Sequence, residues 1–138
     1  MKFLSIAVTC LMLLGCPASY TKPAFKTVDF NYLLEKPESF YGKLVRVRGY
    51  LFVSLPPRDV GVIALCANEN EARDFSRSHR CVLVSLKNSR NVGVKNLKSG
   101  SVEITARFNF VPAANGGRIQ GLTEVQELEE LPEEQGRP

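Results

Sequence analysis

The side chains of this chain that could do covalent chemistry are few: four cysteines (Cys10, Cys16, Cys66 and Cys81) and a single histidine, His79. Nucleophilic catalysis by a thiol or hydroxyl needs a nearby base and a third group that orients that base. His79 lies in a charged stretch beside two serines, which is ordinary loop composition, so we expect a protein that is not an enzyme. With one histidine and without the spaced oxygen ligands of a calcium loop, the sequence predicts no metal centre and no cofactor.

A second group of side chains is suited to binding rather than to reaction. Between residues 43 and 53, arginines and aromatic residues occupy alternate positions. Alternate residues of a β-strand point to the same face, so a strand here would display cations and rings side by side. Such a face can stack on a sugar or a base, or dock an acidic peptide. The predicted ligand-binding residues are Arg46, Arg48, Tyr50 and Phe52, with Arg107 on another predicted strand extending the basic area. The alternative is that the rings pack beneath the N-terminal helix or a loop and that the arginines are merely solvated.

The start of the chain has the pattern of an export signal. Lys2 supplies a positive charge, and residues 3–14 are apolar apart from one serine and one threonine. This stretch is too short to span a bilayer comfortably. It ends in Leu13-Leu14-Gly15-Cys16, which resembles the lipobox of bacterial lipoproteins, with an apolar residue at −3, a small residue at −1 and a cysteine. The resemblance implies that residues 1–15 are removed as a signal peptide and that the Cys16 thiol receives a diacylglyceryl group.

Lipidation would hold the protein at a membrane of the cell envelope, since stable anchoring takes more than one acyl chain, such as an added palmitate. Residue 17 is proline, not the aspartate that usually retains such lipoproteins at the inner membrane. In a Gram-negative cell the resemblance therefore implies the outer membrane, facing the periplasm. Residues 16–27 would form a lipid-anchored tether. Two alternatives stay open, namely an ordinary signal peptide cut after Ala18 and an uncleaved anchor.

The other two cysteines are expected to form a disulfide. If Cys10 is discarded and Cys16 carries lipid, Cys66 and Cys81 remain as a pair in an oxidising compartment. Cys66 ends one apolar run and Cys81 begins the next. If these runs are neighbouring antiparallel strands, the thiols face each other across the mouth of their connecting loop. Closing a loop of about 15 residues is worth on the order of 3 kcal/mol. A redox or metal site is the alternative interpretation.

The sequence predicts a mainly β domain over residues 28–128. A short helix is expected between Val28 and Phe40, with Asp29 as its cap. Lys43–Val53 and Ser101–Val111 alternate cleanly between apolar and polar residues, as strands do, and Gly49 within the first is expected to mark a bulge or bend. Further strands are predicted at Val60–Cys66, Cys81–Leu86 and Arg118–Leu128, with a helical turn at Glu69–Phe75 and a short helix or loop over Asn88–Ser99. In Ser101–Val111, Val102, Ile104, Ala106, Phe108 and Phe110 are expected to point inward, and Glu103, Thr105, Arg107 and Asn109 outward.

Five strands, a bent first strand and a polar or helical link between strands three and four resemble the OB-fold. The segment from Pro37 through Tyr41-Gly42-Lys43 to Tyr50 is similar to the opening of OB-like domains in small, uncharacterised bacterial lipoproteins and secreted proteins. Gly100-Ser101-Val102-Glu103-Ile104-Thr105-Ala106 echoes their entry to strand four. The resemblance implies a five-stranded OB-fold-like barrel with a short N-terminal helix, and it carries no catalytic residues.

Charge is divided unevenly along the chain. Residues 124–138 hold six glutamates and Arg137, a net charge of −5, which leaves +9 on residues 1–123 within the formal total of +4. The acidic end, residues 129–138, is predicted to be disordered. The basic body could meet an anionic surface, or the tail could fold back over it and serve only solubility.

These observations predict a membrane-tethered, non-enzymatic OB-like module that binds a protein or an envelope polymer. One alternative is a periplasmic protein that binds oligosaccharide or nucleic acid through the face of Arg46, Arg48, Tyr50 and Phe52. Another is an accessory subunit of an envelope enzyme. Nucleic acid is the least expected ligand, because the signal directs the chain away from the cytoplasm.

Overall fold

A computed structural model describes residues 25–54, 61–89, 92–93, 97–112 and 115–133 of the 138-residue chain. The predicted signal peptide, the lipobox cysteine and the last five residues lie outside this part. The strands are β1 (Thr27–Val28), β2 (Leu44–Ser54), β3 (Val62–Cys66), β4 (Cys81–Val84), β5 (Gly100–Pro112) and β6 (Arg118–Glu130). The helices are α1 (Phe30–Glu35), α2 (Glu69–Arg73) and a 3-10 turn at Pro37–Ser39. None of the helices in the described residues is long and apolar enough to cross a membrane.

Five strands close into a ring. Their order is β2, β3, β4, β6 and β5, and β5 pairs back onto β2. All neighbours are antiparallel except β4 and β6, which run parallel. The prediction of a mainly β, five-stranded OB-fold-like barrel is therefore confirmed. The two-residue β1, which pairs in parallel with β2, was not predicted, because two residues are too few to show an alternating pattern.

The predicted N-terminal helix forms as α1. The Asp29 side chain accepts a hydrogen bond from the backbone N–H of Tyr32 at 3.0 Å, which satisfies one of the free donors of the first turn. Phe30 and Leu33 bury one side of the helix in the main core. The helix ends at Glu35, because Pro37 disfavours helical backbone at the residue before it. Asn68 caps α2 in the same way, accepting from the N–H of Glu71 at 3.0 Å.

The two clean alternations form the long strands of the barrel, as predicted. Their inward side chains are buried in one continuous core: Val45, Val47 and Leu51 of β2, and Val102, Ile104, Ala106 and Phe108 of β5. The prediction for Thr105 was wrong, because this residue was expected to face solvent but is only 2% exposed. It points outward, but the side chains of Arg46 on β2 and Glu127 on β6 flank it and cover it.

A two-stranded ribbon extends beyond the closed ring. The β2–β5 pairing ends at Leu44 opposite Arg107, and the β4–β6 pairing begins at Leu83 opposite Gly121. Among the described strands, residues 110–112 and 118–120 therefore pair only with each other, and we call this extension the ribbon. The expectation that Phe110 is buried was wrong for this reason. Its side chain is on the inward side but beyond the end of the barrel, and it is 41% exposed.

Gly49 allows a close approach rather than a bulge. A Cβ atom at this position would lie 2.6 Å from the backbone oxygen of Cys66 on β3, and the register between β2 and β5 runs through Gly49 without a break. The irregularity of the barrel lies instead between β5 and β6, where the register shifts between Thr105 and Arg107. Of the bulge or bend expected at Gly49, no bulge forms, and the residue lets β3 pack tightly against β2.

The links and the end of the domain also differ in detail from the predictions. The described part of the link between β4 and β5 contains a turn and no helix. Glu129 and Glu130, expected in a disordered tail, belong to β6, because they pair with Glu103 and Val102 of β5. The backbone N–H of Leu131 extends this pairing by donating to the carbonyl of Ser101 at 2.9 Å.

Candidate functional site

The register of the barrel collects the predicted arginines on one outer surface. Arg46 lies opposite Thr105 and Arg48 lies opposite Glu103 on β5. Thr105 in turn lies opposite Glu127 on β6. The surface that these strands form, here called the charged face, consists of Arg46, Arg48, Glu103, Thr105, Arg107, Glu124 and Glu127.

Arg46 and Arg48 share Glu103 as a partner. The Nε of Arg48 donates to Glu103 at 2.6 Å, and the Nε of Arg46 lies 3.9 Å from the other carboxylate oxygen. Arg46 also donates to the hydroxyl of Thr105 at 3.1 Å and to the carboxylate of Glu127 at 3.4 Å. The Arg48 side chain is 65% exposed and that of Arg46 is 24% exposed. Arg48 is therefore the cation of this group that is most open to a partner.

Arg107 forms an ion pair with Glu124, where the register between β5 and β6 shifts. Its Nε donates to Glu124 at 2.8 Å and its Nη1 donates to the carbonyl of Gly42 at 2.6 Å. Glu124 has a φ of 49°, in the left-handed region that non-glycine residues seldom adopt. Around this point one residue of β5, Ala106, faces three residues of β6. With Arg107 included, the charged face holds three arginines and three glutamates in ion pairs, so its formal charges balance.

The predicted aromatic residues are partly buried. Tyr50 and Phe52 pack against a small second core of Ala64, Cys66 and Ala72. The ring of Phe52 stacks on Phe75, with ring centroids 5.3 Å apart and planes 18° apart. Residues 67–80, which contain α2 and which we call the α2 segment, therefore cover the aromatic half of the predicted site. The structure places only the arginine half on an open surface.

The Cys66–Cys81 disulfide is formed, as predicted. The two residues are directly opposite each other in the register of β3 and β4, with Cα atoms 4.0 Å apart. Beside the bridge, the N–H of Ala67 donates to the carbonyl of Arg80 at 3.0 Å. The bridge therefore ties both ends of the α2 segment to the barrel.

An open groove of about 310 Å³ lies beside the α2 segment. It is lined by Phe75, Ser78, His79, Cys81, Leu83, Ile119 and Gln120. The hydroxyl of Ser78 donates to the carboxylate of Glu71 at 2.6 Å. The sequence singled out neither Phe75 nor Gln120, since the groove exists only where the α2 segment meets β6.

The described residues contain no group of three or more histidine, cysteine, aspartate or glutamate side chains that could hold a metal ion. No protein-family model matches this chain, and no curated protein matches it.

Proposed function

We propose that this chain is a lipid-anchored, non-enzymatic OB-fold module of the bacterial cell envelope that binds another protein. The apolar stretch that ends in Gly15-Cys16 supports the anchor. The Cys66–Cys81 bridge is consistent with export, because disulfides persist in oxidising compartments such as the periplasm and are rare in the cytosol.

One observation favours a protein partner over a polyanion: each arginine of the charged face has a glutamate partner. Polyanions bind where protein cations neutralise their charges and release counterions. Here the carboxylates of Glu103, Glu124 and Glu127 already neutralise the arginines. Closely spaced charges of both signs suit a protein surface with the complementary pattern, where such charges fix the partner and its register. We therefore place the docking surface on the charged face, with Arg48 as its most accessible cation.

Site-specific photo-crosslinking in cells tests this proposal. The crosslinking amino acid is placed at Ser101 or Glu129, two exposed positions beside the charged face, and at Asn70 on α2 as a control. We expect Ser101 and Glu129, but not Asn70, to give an adduct with one protein of defined mass. Arg48→Glu should reduce that adduct about tenfold, the effect of losing about 1.4 kcal/mol. Lys87→Glu, a charge reversal on the exposed turn after β4, should leave it unchanged.

Absence of a protein adduct at both positions would contradict the proposal, and so would an adduct that Arg48→Glu does not reduce. The identity of the captured protein also tests the alternative of an accessory subunit, since an envelope enzyme in the adduct would assign that role.

A neutral oligosaccharide is the second candidate, and the groove beside the α2 segment favours it. OB-folds commonly bind oligosaccharides on this side of the barrel. The groove combines the ring of Phe75 with hydrogen-bonding groups of His79 and Gln120, the mixture of apolar and polar lining that ligand sites use. A crosslinker at His79 that captures glycan, together with no protein adduct at Ser101, would favour this candidate.

A further inference from the structure

We infer that the ribbon end of the barrel faces the membrane and that the side chain of Phe110 enters the headgroup region of the lipid. This inference deepens the proposed function and rests on its lipid anchor. It is carried by the direction in which the chain enters the barrel, by the exposed apolar side chains of the ribbon and by the distribution of charge along the barrel.

The chain enters the domain from the ribbon end. β1 runs parallel to β2, with Thr27 opposite Arg46 and Val28 opposite Val47. β2 begins at Leu44, which lies opposite Arg107 at the ribbon end of the β2–β5 register. The start of β1 therefore points towards the ribbon, and Lys26 precedes it on that side.

The distance from Cys16 to the barrel is short. Lys26 is ten positions after Cys16, and ten positions span at most roughly 33–36 Å even when the chain is fully extended. Thr27, the first residue of β1, is level with Arg46 and Thr105, near the ribbon end of the β2–β5 pairing. The other end of that pairing, at Gly100, is five residues from Thr105, or roughly 17 Å at 3.3 Å per residue. A tether that led there would have to reverse the direction in which the chain enters β1. The ribbon end is therefore the end that a lipid at Cys16 reaches by the direct path.

Apolar side chains are exposed at this same end. Of the three large hydrophobic residues that are exposed in the described part of the chain, Phe110 and Ile119 are on the ribbon. The ring of Phe110 is held against Tyr41, with centroids 4.4 Å apart, and the Tyr41 hydroxyl accepts a hydrogen bond from Gln120 at 3.0 Å. Aromatic rings fixed at one end of a domain are suited to the interface between water and lipid, where such residues are enriched.

Basic side chains predominate among the exposed charges near the ribbon, and an anionic membrane surface would attract them. Lys26 and Lys43 near the start of β1 and β2, and Arg118 on the ribbon, are exposed. Glu38, in the 3-10 turn that leads to the ribbon end, offsets part of this positive charge. We therefore expect the apolar contact to contribute more to membrane binding than the charge does. At the other end of the barrel the exposed glutamates Glu129, Glu130 and Glu133 outnumber the exposed Lys98, whose neighbour Ser99 accepts a hydrogen bond from Val53. This end would point away from the lipid.

Tryptophan fluorescence tests the orientation, because the chain contains no tryptophan. The full acylated chain is reconstituted into vesicles of phosphatidylethanolamine and phosphatidylglycerol that contain a brominated phosphatidylcholine. Phe110→Trp places the reporter on the ribbon, and Ile119→Trp provides a second reporter there. Leu131→Trp is the matched control at the acidic end. We expect the bromine atoms to quench the ribbon reporters several-fold more strongly than the Leu131→Trp reporter.

Equal quenching at the two ends, or stronger quenching of Leu131→Trp, in a vesicle-bound acylated protein would overturn the orientation while leaving the anchor in place. The mass of the same sample reports the acyl chains. A chain that carries none would overturn this inference together with the anchor of the proposed function, so the two failures are distinguishable.

Discussion

Replacing Cys66 and Cys81 together by alanine is expected to lower the free energy of unfolding by about 3 kcal/mol. The bridge closes a loop with a sequence separation of 15 residues, and without it the unfolded chain regains the entropy of that loop. The native state also loses a tie at the base of the α2 segment, which covers the ring of Phe52 through Phe75. The effect is large for a domain of this size, because whole domains are stable by only about 5–15 kcal/mol.

The measurement is urea unfolding of the detergent-solubilised full chain, followed by far-ultraviolet circular dichroism. The wild-type protein treated with a reductant should show the same loss as the double variant. Ser76→Ala, an exposed change in the same loop, should leave the transition where it is. A loss below about 1 kcal/mol on removing the bridge would mean that the α2 segment holds its place without it.

Phe108→Ala is expected to cost about 3–5 kcal/mol, the range for removing a fully buried phenylalanine. Phe108 has no exposed surface, and its ring stacks on Tyr41 with centroids 5.4 Å apart and planes 4° apart. Its backbone also closes the end of the ring, donating to the carbonyl of Lys43 and accepting from the N–H of Gly42. The variant would therefore open the barrel at the point where the ribbon begins.

Phe110→Ala is the matched control, two residues further along the same strand. Because Phe110 is exposed and lies beyond the ring, its loss should change the free energy of unfolding by no more than about 1 kcal/mol, as most surface substitutions do. Similar losses for the two variants would contradict the boundary between barrel and ribbon that the register defines.

The barrel was largely predictable because its long strands alternate between apolar and polar residues. The faces of β2 and most of β5, the Asp29 cap and the Cys66–Cys81 pair all depend on spacing within short segments. Phe110 and Thr105 were not predictable in this way. The burial of these two residues depends on where the neighbouring strands end and on which side chains of those strands lie beside them. A local sequence pattern predicts neither of these.

The ion pairs of the charged face were also not predictable from local patterns. The alternation of β2 placed Arg46 and Arg48 on one outer surface, which the structure confirms. Their partners come from Glu103 and Glu127, which are 55 and 81 residues away along the chain from Arg48 and Arg46. Only the closure of β5 and β6 onto β2 brings these carboxylates to the arginines. The sequence therefore predicted a cationic face, whereas the folded face is balanced in charge.

The intact mass of the protein purified from bacterial membranes shows whether Cys16 carries a lipid. We expect a chain that begins at Cys16, carries acyl chains, and gains about 2 Da on reduction, one hydrogen for each sulfur of the Cys66–Cys81 bridge. A chain without acyl groups that begins at another residue would contradict the lipid anchor and the membrane-facing ribbon with it.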